Sequence, residues 1–160
     1  MKKILLILMA MFAFGWQNVS AQDGIKIVTN HPDFKVKVVR CAVSGTTAII
    51  DLNFINIGSN DIDELVVYGG AAKSEAIDSD GNIYNENNIK VKLSKETEYH
   101  NYRCPLSMPT DVPMKVTVKL ENFSKAAETI ARLKLTVNCR PWGLTEDKPL
   151  KISNIPVTRE

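Results

Sequence analysis

The stretch FKVKVVRC, residues 34–41, decides the fold class of this 160-residue chain. Phe34, Val36 and Val38 alternate with charged residues, so apolar side chains fall on one side of an extended segment and lysines on the other. A period of two is typical of a β-strand that buries one face. Residues 34–41 are therefore predicted to form a strand, which breaks at the turn residues Ser44 and Gly45.

Short segments with β-branched residues and the same alternation recur along the rest of the chain. Their spacing, without long helices between them, favours two packed antiparallel sheets. We predict an all-β, immunoglobulin-like antiparallel β-sandwich that forms one domain over residues 22–160, with its core at about 34–139. The further strand candidates are 47–57 (TAIIDLNFINI), 64–68, a hairpin over 72–84, 89–93 (IKVKL), 114–120 (MKVTVKL), 133–137 (LKLTV) and a last edge strand at 150–155.

Two segments depart from this pattern. Ser124 followed by KAAETIARL has an N-cap residue and a one-sided apolar stripe, so a short helix is predicted near residues 124–132. Pro105, Pro109 and Pro113 each remove a backbone donor, which excludes their segment from a central strand.

The first 21 residues have the composition of a cleavable secretory signal peptide. Lys2 and Lys3 precede an apolar run over 4–16, and Val19 and Ala21 are small residues at the positions three and one before a cut. The run is shorter than the roughly 20 residues of a membrane-spanning helix. We therefore expect an exported chain, in the periplasm, on the cell surface or outside the cell, with no membrane span after cleavage.

Loss of this segment removes two of the 20 basic residues and leaves 18 against 18 acidic ones. The mature chain is then formally neutral, so its net charge does not predict binding to nucleic acid. No motif in the sequence implies a cofactor.

Three cysteines lie in the mature region: Cys41, Cys104 and Cys139. Because exported chains meet oxidising conditions, one disulfide and one remaining thiol are expected. Spacing does not choose among the three possible pairings.

The order of several short motifs resembles immunoglobulin-like domains of small exported bacterial proteins of unknown function. The motifs are a first strand ending in Cys41, FINIG at 54–58, DSDGNIY at 78–84, VPMKV at 112–116 and LKL at 133–135. The resemblance covers most of residues 34–139. It implies a sandwich fold, export, and binding or scaffolding, and it supplies no catalytic residues.

Asp78, Asp80 and Asn82 place oxygen ligands at alternate positions, as the start of a calcium loop does. Ile83 and Ile89 occupy the positions where such a loop needs glycine and a bidentate glutamate. The interpretation we favour is a structural turn, and no metal site is predicted.

Two other groups of residues suggest chemistry. Cys104 with His100 could form a nucleophilic pair, although a disulfide or a buried thiol is the favoured interpretation of Cys104. Tyr99, Tyr102 and Trp142, with Phe123, could form an aromatic platform for a glycan, or Trp142 and Phe123 could cap the sandwich core.

The leading hypothesis is a non-enzymatic exported module that binds an unknown protein or glycan of the cell envelope, or takes part in envelope assembly. It predicts an exposed apolar or aromatic patch. The alternatives are an exported thiol-dependent enzyme or redox protein that uses Cys104, and a carrier of a small ligand or ion in a pocket between the sheets.

Overall fold

The computed structural model describes residues 24–29, 33–93, 95–139 and 148–160. The predicted signal segment and Trp142 lie outside these residues. The regular structure of the described residues consists of strands and two short 3₁₀ turns, at Gly70–Ala72 and Glu86–Asn88. The twelve strands are β1 (Lys26–Val28), β2 (Phe34–Ser44), β3 (Thr47–Asn56), β4 (Ile62–Tyr68), β5 (Glu75–Asp78), β6 (Ile83–Tyr84), β7 (Ile89–Leu93), β8 (Arg103–Met108), β9 (Pro113–Leu120), β10 (Thr129–Cys139), β11 (Lys148–Pro156) and β12 (Thr158–Arg159).

The strands form two sheets that pack as a sandwich, so the predicted all-β class is confirmed. Sheet I has the order β1-β11-β10-β4-β8, and β5 joins it by pairing with both β10 and β6. Sheet II has the order β12-β2-β3-β9-β7. Every pairing is antiparallel except that of β12 with β2.

The core lies between the sheets and follows the alternation read from the sequence. Phe34 and Phe54 stack there with their ring centroids 5.7 Å apart. The register between β2 and β3 shifts between Val38 and Arg40, which leaves Val39 exposed. After this bulge Cys41 and Val43 face the core, although the preceding alternation in β2 placed even-numbered residues there.

The predicted helix near residues 124–132 is wrong. The region is a turn that leads into β10, where the Ser124 hydroxyl accepts a hydrogen bond from the amide of Ala126. Ile130 and Leu133 are both fully buried because the register with β5 shifts between Ile130 and Arg132. A bulge thus places two core residues three positions apart, which imitates the spacing of one helix face.

Two smaller predictions have different outcomes. Pro105 lies in β8, an edge strand of sheet I, as the exclusion from a central strand requires. Pro113, in contrast, is the first residue of β9, which lies between β3 and β7 in sheet II, so for this proline the exclusion is wrong. The last predicted strand is present as β11, but it lies between β1 and β10 and is therefore not an edge.

The expected disulfide is also wrong, because all three cysteines are free and buried. Cys104 is paired with Val67, and Cys139 with Leu65, on opposite sides of β4. Two strand spacings of about 4.8 Å separate them, more than the roughly 7 Å between Cα atoms that a disulfide tolerates.

Cys41 lies in the other sheet and away from both. β2 contacts β11, whereas β8, which carries Cys104, contacts β7 and β3 of sheet II. Cys139 is near enough to Asp33 for that charge to act on it, and Cys41 lies eight residues further along β2, about 25 Å in an extended strand.

Candidate functional site

The outer face of sheet II is rich in basic side chains, and we call it the basic face. Each of these side chains alternates with a core residue of the same strand: Val36 lies between two of them on β2, and Val91 between two on β7. The alternation that fills the core therefore also directs the cations outward. The basic face comprises Lys35, Lys37, Arg40, Lys90, Lys92, Lys115 and Lys119.

Asp51 lies at the centre of the basic face and is only 3% exposed. Its Oδ2 accepts a hydrogen bond of 2.8 Å from Arg40 Nε and lies 3.0 Å from Lys115 Nζ. Its Oδ1 accepts a hydrogen bond of 2.8 Å from the Thr117 hydroxyl. Burial opposes ionisation of Asp51, but the hydrogen bonds from Arg40, Thr117 and Lys115 outweigh it and lower the pKa of the carboxyl. Asp51 is thus an anion that holds two cations.

Glu121, which follows the last residue of β9, also forms ion pairs with two lysines. Its carboxylate oxygens lie 2.6 Å from Lys119 Nζ and 3.0 Å from Lys90 Nζ. Hydrogen bonds from Lys119 and Lys90 lower the pKa of Glu121. Asp51 and Glu121 are therefore each shared by two cations.

Tyr99 adds an aromatic ring to the basic face. The backbone of His100 pairs with Val91 of β7, which continues sheet II by one residue and directs Tyr99 to the outer side, beside Lys92. The ammonium groups of Lys92 and Lys119 each lie 4.8 Å from the centre of the Tyr99 ring. Burial and the charge of Asp51 raise the pKa of Tyr99. The ring holds two ammonium groups at the surface by cation–π attraction.

The outer face of sheet I also carries basic side chains. Arg132 pairs with Glu75 at 2.9 Å, and Arg103 pairs with Glu64 at 2.6 Å. Lys26, Lys134 and Lys151 on that face also have no carboxylate within 4.0 Å among the described residues, so lysines without a carboxylate occur on both faces. On the basic face Asp51 and Glu121 each contact two cations, Glu160 lies 3.8 Å from Arg40 Nη1, and Lys35, Lys37 and Lys92 have no carboxylate within 4.0 Å among the described residues.

The residues considered for calcium form a closed turn. Asp78 Oδ1 accepts hydrogen bonds from the amides of Asp80 and Asn82, and Oδ2 accepts from the Asn82 side chain and the Tyr84 hydroxyl. Burial works against ionisation of Asp78, and these bonds outweigh it and lower its pKa. Four internal donors occupy the carboxylate of Asp78, as the structural interpretation requires. The described residues contain no group of three or more His, Cys, Asp or Glu side chains placed to hold a metal ion.

Glu96, which the sequence analysis did not identify as a candidate, contacts both Cys104 and His100. Glu96 Oε2 accepts hydrogen bonds from the Leu93 amide at 2.9 Å and from the Cys104 thiol at 3.4 Å, and lies 3.6 Å from His100 Nε2. Burial, together with the charge of Glu96 and the hydrogen bond to it, raises the pKa of Cys104 to about 12. The thiol is fully buried and protonated, which is the opposite of what a nucleophilic cysteine needs.

The described members of the predicted aromatic platform do not share one surface. Tyr99 lies on the basic face, while Tyr102 packs edge-on against Tyr68 of sheet I at 5.9 Å. Phe123 is buried and stacks on Tyr84 at 5.3 Å, so it belongs to the core, as the alternative interpretation had it. Trp142 lies outside the described residues.

The expected apolar patch is also absent from the described surface as a single area. The exposed large apolar side chains are distributed over strands and loops of both sheets: Val28, Val39, Ile57, Ile83, Tyr102 and Val112. Two cavities are lined by residues of both sheets: one of about 190 Å³ by Cys41 of β2 and Ile155 of β11, and one of about 110 Å³ by Ile27 of β1 and Val36 of β2. Another cavity involves Ile83 and Asn122 near one end.

Comparison with known proteins returned no matching family model and no curated relative of significant similarity. Within the described ranges, no helix has the length and apolar character needed to cross a membrane.

Proposed function

We propose that this protein is a non-enzymatic exported module that binds an acidic component of the cell envelope through its basic face. The observation that carries the proposal is the charge imbalance of this face, where seven basic side chains meet three carboxylates: Asp51, Glu121 and Glu160. In a mature chain that is formally neutral, such segregation gives one surface a positive potential.

The arrangement of the cations supports binding rather than mere solubility. Asp51 positions Arg40 and Lys115, and Glu121 positions Lys90 and Lys119. Tyr99 positions Lys92. Fewer side chains must therefore become ordered when a partner binds. Pre-ordering of this kind reduces the entropic cost of association. The sheet beneath is rigid, because Leu52, Val116 and Val91 fix it to the core.

The non-enzymatic part of the proposal rests on the state of the reactive groups. The Cys104 thiol is protonated against Glu96, and the Asp78 carboxylate is filled by four donors. Neither is available as a nucleophile or base within the described residues. The N-terminal segment 1–21 and the resemblance to exported immunoglobulin-like domains support the envelope as the location.

The test compares the effect of replacing two lysines on sheet II with the effect of replacing two lysines on sheet I. Lys35 and Lys37 are exposed on the basic face, and Lys26 and Lys151 are exposed on the outer face of sheet I. Residues 22–160 carrying Lys35→Gln and Lys37→Gln should lose retention on an immobilised envelope fraction of the source organism, whereas Lys26→Gln with Lys151→Gln should leave it unchanged. Equal retention of the two double variants would overturn the proposal.

A further inference from the structure

We infer that the occupant of the basic face is a linear polysaccharide that carries a carboxylate on its repeating sugar. This inference rests on the proposed function and names the acidic partner that it leaves open.

The register of sheet II arranges the cations in rows. Lys37 of β2 and Lys115 of β9 flank Asn53 on β3, so they form one row across the sheet. Arg40 and Lys92 form the second row through Asp51 and Thr117. Lys119 and Lys90 are direct partners in the third. Lys35 lies one step beyond the first row on β2.

These rows have the dimensions of a short polymer segment. Successive outward residues on a strand are about 6.8 Å apart, and the four strands from β2 to β7 span about 15 Å. Three rows with two cations each therefore form a band about 14 Å long. A chain with a regularly repeated anion can meet several rows at once, and the linkage between its units raises the effective concentration of each later contact.

The protein's own carboxylates show which anion fits between these cations. Glu121 bridges Lys90 and Lys119 at 3.0 and 2.6 Å, and Asp51 bridges Arg40 and Lys115. A carboxylate between two cations is thus the arrangement that this surface already contains. Lys35, Lys37 and Lys92 offer cations without such a partner in the described part of the chain, so a uronate carboxylate would extend the existing pattern.

Three other occupants fit the face less well. A protein partner would need an apolar or aromatic centre, and lysine is depleted from the centres of such interfaces. A membrane surface would need an apolar anchor, but the exposed apolar residues on this side, Val39 and Ile57, are single side chains; Ile57 pairs with Asp33, six residues or about 20 Å from Val39 along the chain. A single-stranded nucleic acid would need open aromatic rings for stacking, whereas the Tyr99 ring is engaged by Lys92 and Lys119.

The inference is tested with polygalacturonate as the probe, by isothermal calorimetry on residues 22–160 at low and raised salt. We expect binding that weakens with salt, and no binding to neutral dextran. Lys35→Gln with Lys37→Gln should weaken the binding about tenfold, a loss of about 1.4 kcal/mol, while Lys26→Gln with Lys151→Gln retains the wild-type affinity. Circular dichroism and thermal unfolding establish that both double variants are folded.

Single-stranded DNA and phosphatidylglycerol vesicles are the competing probes. If either binds as tightly as polygalacturonate, or if polygalacturonate does not bind at low salt, the polysaccharide assignment is overturned. The proposed function is judged separately, by retention on the envelope fraction. Retention that depends on Lys35 and Lys37 without any affinity for polygalacturonate would remove only the choice of occupant.

Tyr99→Leu provides a second variant in which the number of charges is unchanged. Because the ring positions the ammonium groups of Lys92 and Lys119, its loss should weaken polygalacturonate binding while the salt dependence stays close to that of the wild type. An unaltered affinity in the folded variant would contradict a positioning role for Tyr99.

Discussion

Arg40 and Asp51 are joined across β2 and β3 by a hydrogen bond of 2.8 Å, in which an arginine side chain that is 56% exposed donates to a carboxylate that is 4% exposed. The buried Asp51 carboxylate and the exposed Arg40 guanidinium differ in their access to solvent. Asp51 is covered by its own partners, so it is sequestered from ligands in the solvent. Arg40 keeps part of its guanidinium in water, where it adds to the positive potential of the basic face.

Replacement of Asp51 by asparagine should destabilise the fold. The change removes a charge that accepts bonds from Arg40, Lys115 and Thr117, and hydrogen bonds to a charged group contribute about 1.5–3 kcal/mol each when measured by mutation. Since both cations are largely hydrated, we expect a net loss of about 1–3 kcal/mol in the free energy of unfolding. Urea unfolding at neutral pH measures it.

Asp63 on β4 is an exposed carboxylate that serves as the matched control. Asp63→Asn should change the free energy of unfolding by no more than about 0.5 kcal/mol, as exposed substitutions usually do. Similar losses in the Asp51 and Asp63 variants would mean that the ion pairs of Asp51 add nothing to stability.

The acid limb of the stability curve should also depend on Asp51. Its pKa is lowered in the folded state, so its contribution is complete above the unfolded value of about 3.9 and disappears as the pH falls through the folded pKa. Asp51→Asn lacks this contribution at every pH and should lose less stability than the wild type below about pH 4. Urea unfolding across the acid range checks this, and parallel curves for the two proteins would show that the pKa of Asp51 is not lowered.

Tyr84 should stabilise the turn after β5 through its hydroxyl. The hydroxyl donates a hydrogen bond of 2.7 Å to Asp78 Oδ2 and accepts one of 3.0 Å from the amide of Ser124. Tyr84→Phe keeps the ring against Phe123 but leaves both partners short of a bond, at a cost of about 1–3 kcal/mol. Tyr102→Phe removes an exposed hydroxyl and should be neutral in the same unfolding experiment.

The alkaline behaviour of Tyr84→Phe gives an independent readout. Burial and the hydrogen bond to Asp78 raise the pKa of Tyr84 to about 12, whereas an unfolded tyrosine titrates near pH 10. The stability from the protonated phenol is complete below about pH 10 and disappears as the pH rises through 12. The wild type should therefore lose more stability than Tyr84→Phe over this interval, and identical losses would contradict the assignment.

The sequence predicts individual strands well because each depends on its own alternation. FKVKV at 34–38 places Phe34, Val36 and Val38 in the core, as observed. A bulge changes the alternation without any compositional mark, since the extra residue at Val39 is as apolar as its neighbours. The same limitation produced the false helix, where the spacing of Ile130 and Leu133 reflects a register shift.

The candidate site could not be predicted because it depends on contacts between distant strands. Asp51 falls on the outer side of TAIIDLNFINI, where a lone carboxylate is ordinary. Its importance follows from the pairing of β3 with both β2 and β9, which brings Arg40 and Lys115 to the same carboxylate. Alternation assigns a residue to a face but does not specify which strand lies beside it.

Gly70 should tolerate no larger residue, because it touches the backbone of the other 3₁₀ turn. A Cβ atom at Gly70 would lie 2.0 Å from the carbonyl oxygen of Glu86, which has no side-chain freedom with which to move away. Gly70→Ala must displace one turn and should cost about 1–3 kcal/mol or more in a urea unfolding experiment. Gly24→Ala, with no atom within 4 Å, is the control and should be neutral, and equal stability of the two variants would contradict the packing described.

The three cysteines should behave as buried free thiols rather than as a bridge or a nucleophile. Cys41, Cys104 and Cys139 are at most 4% exposed, and burial raises their pKa values to about 12, 12 and 11. Disulfide exchange requires a thiolate, so Ellman's reagent should label none of them in the native protein at mildly alkaline pH. All three should react after unfolding, and the intact mass should contain every thiol hydrogen.

A cysteine at an exposed position shows that the reagent works on the native fold. Ser44 is exposed at the end of β2, so Ser44→Cys should react at once and add one labelled thiol. If the wild type is labelled without unfolding and Cys104→Ala abolishes that label, the buried arrangement with Glu96 is wrong and the thiol-dependent enzyme regains support. A mass lower by two hydrogen atoms would instead indicate a disulfide, which would require β2, β8 or β10 to lie closer together than their sheet positions allow.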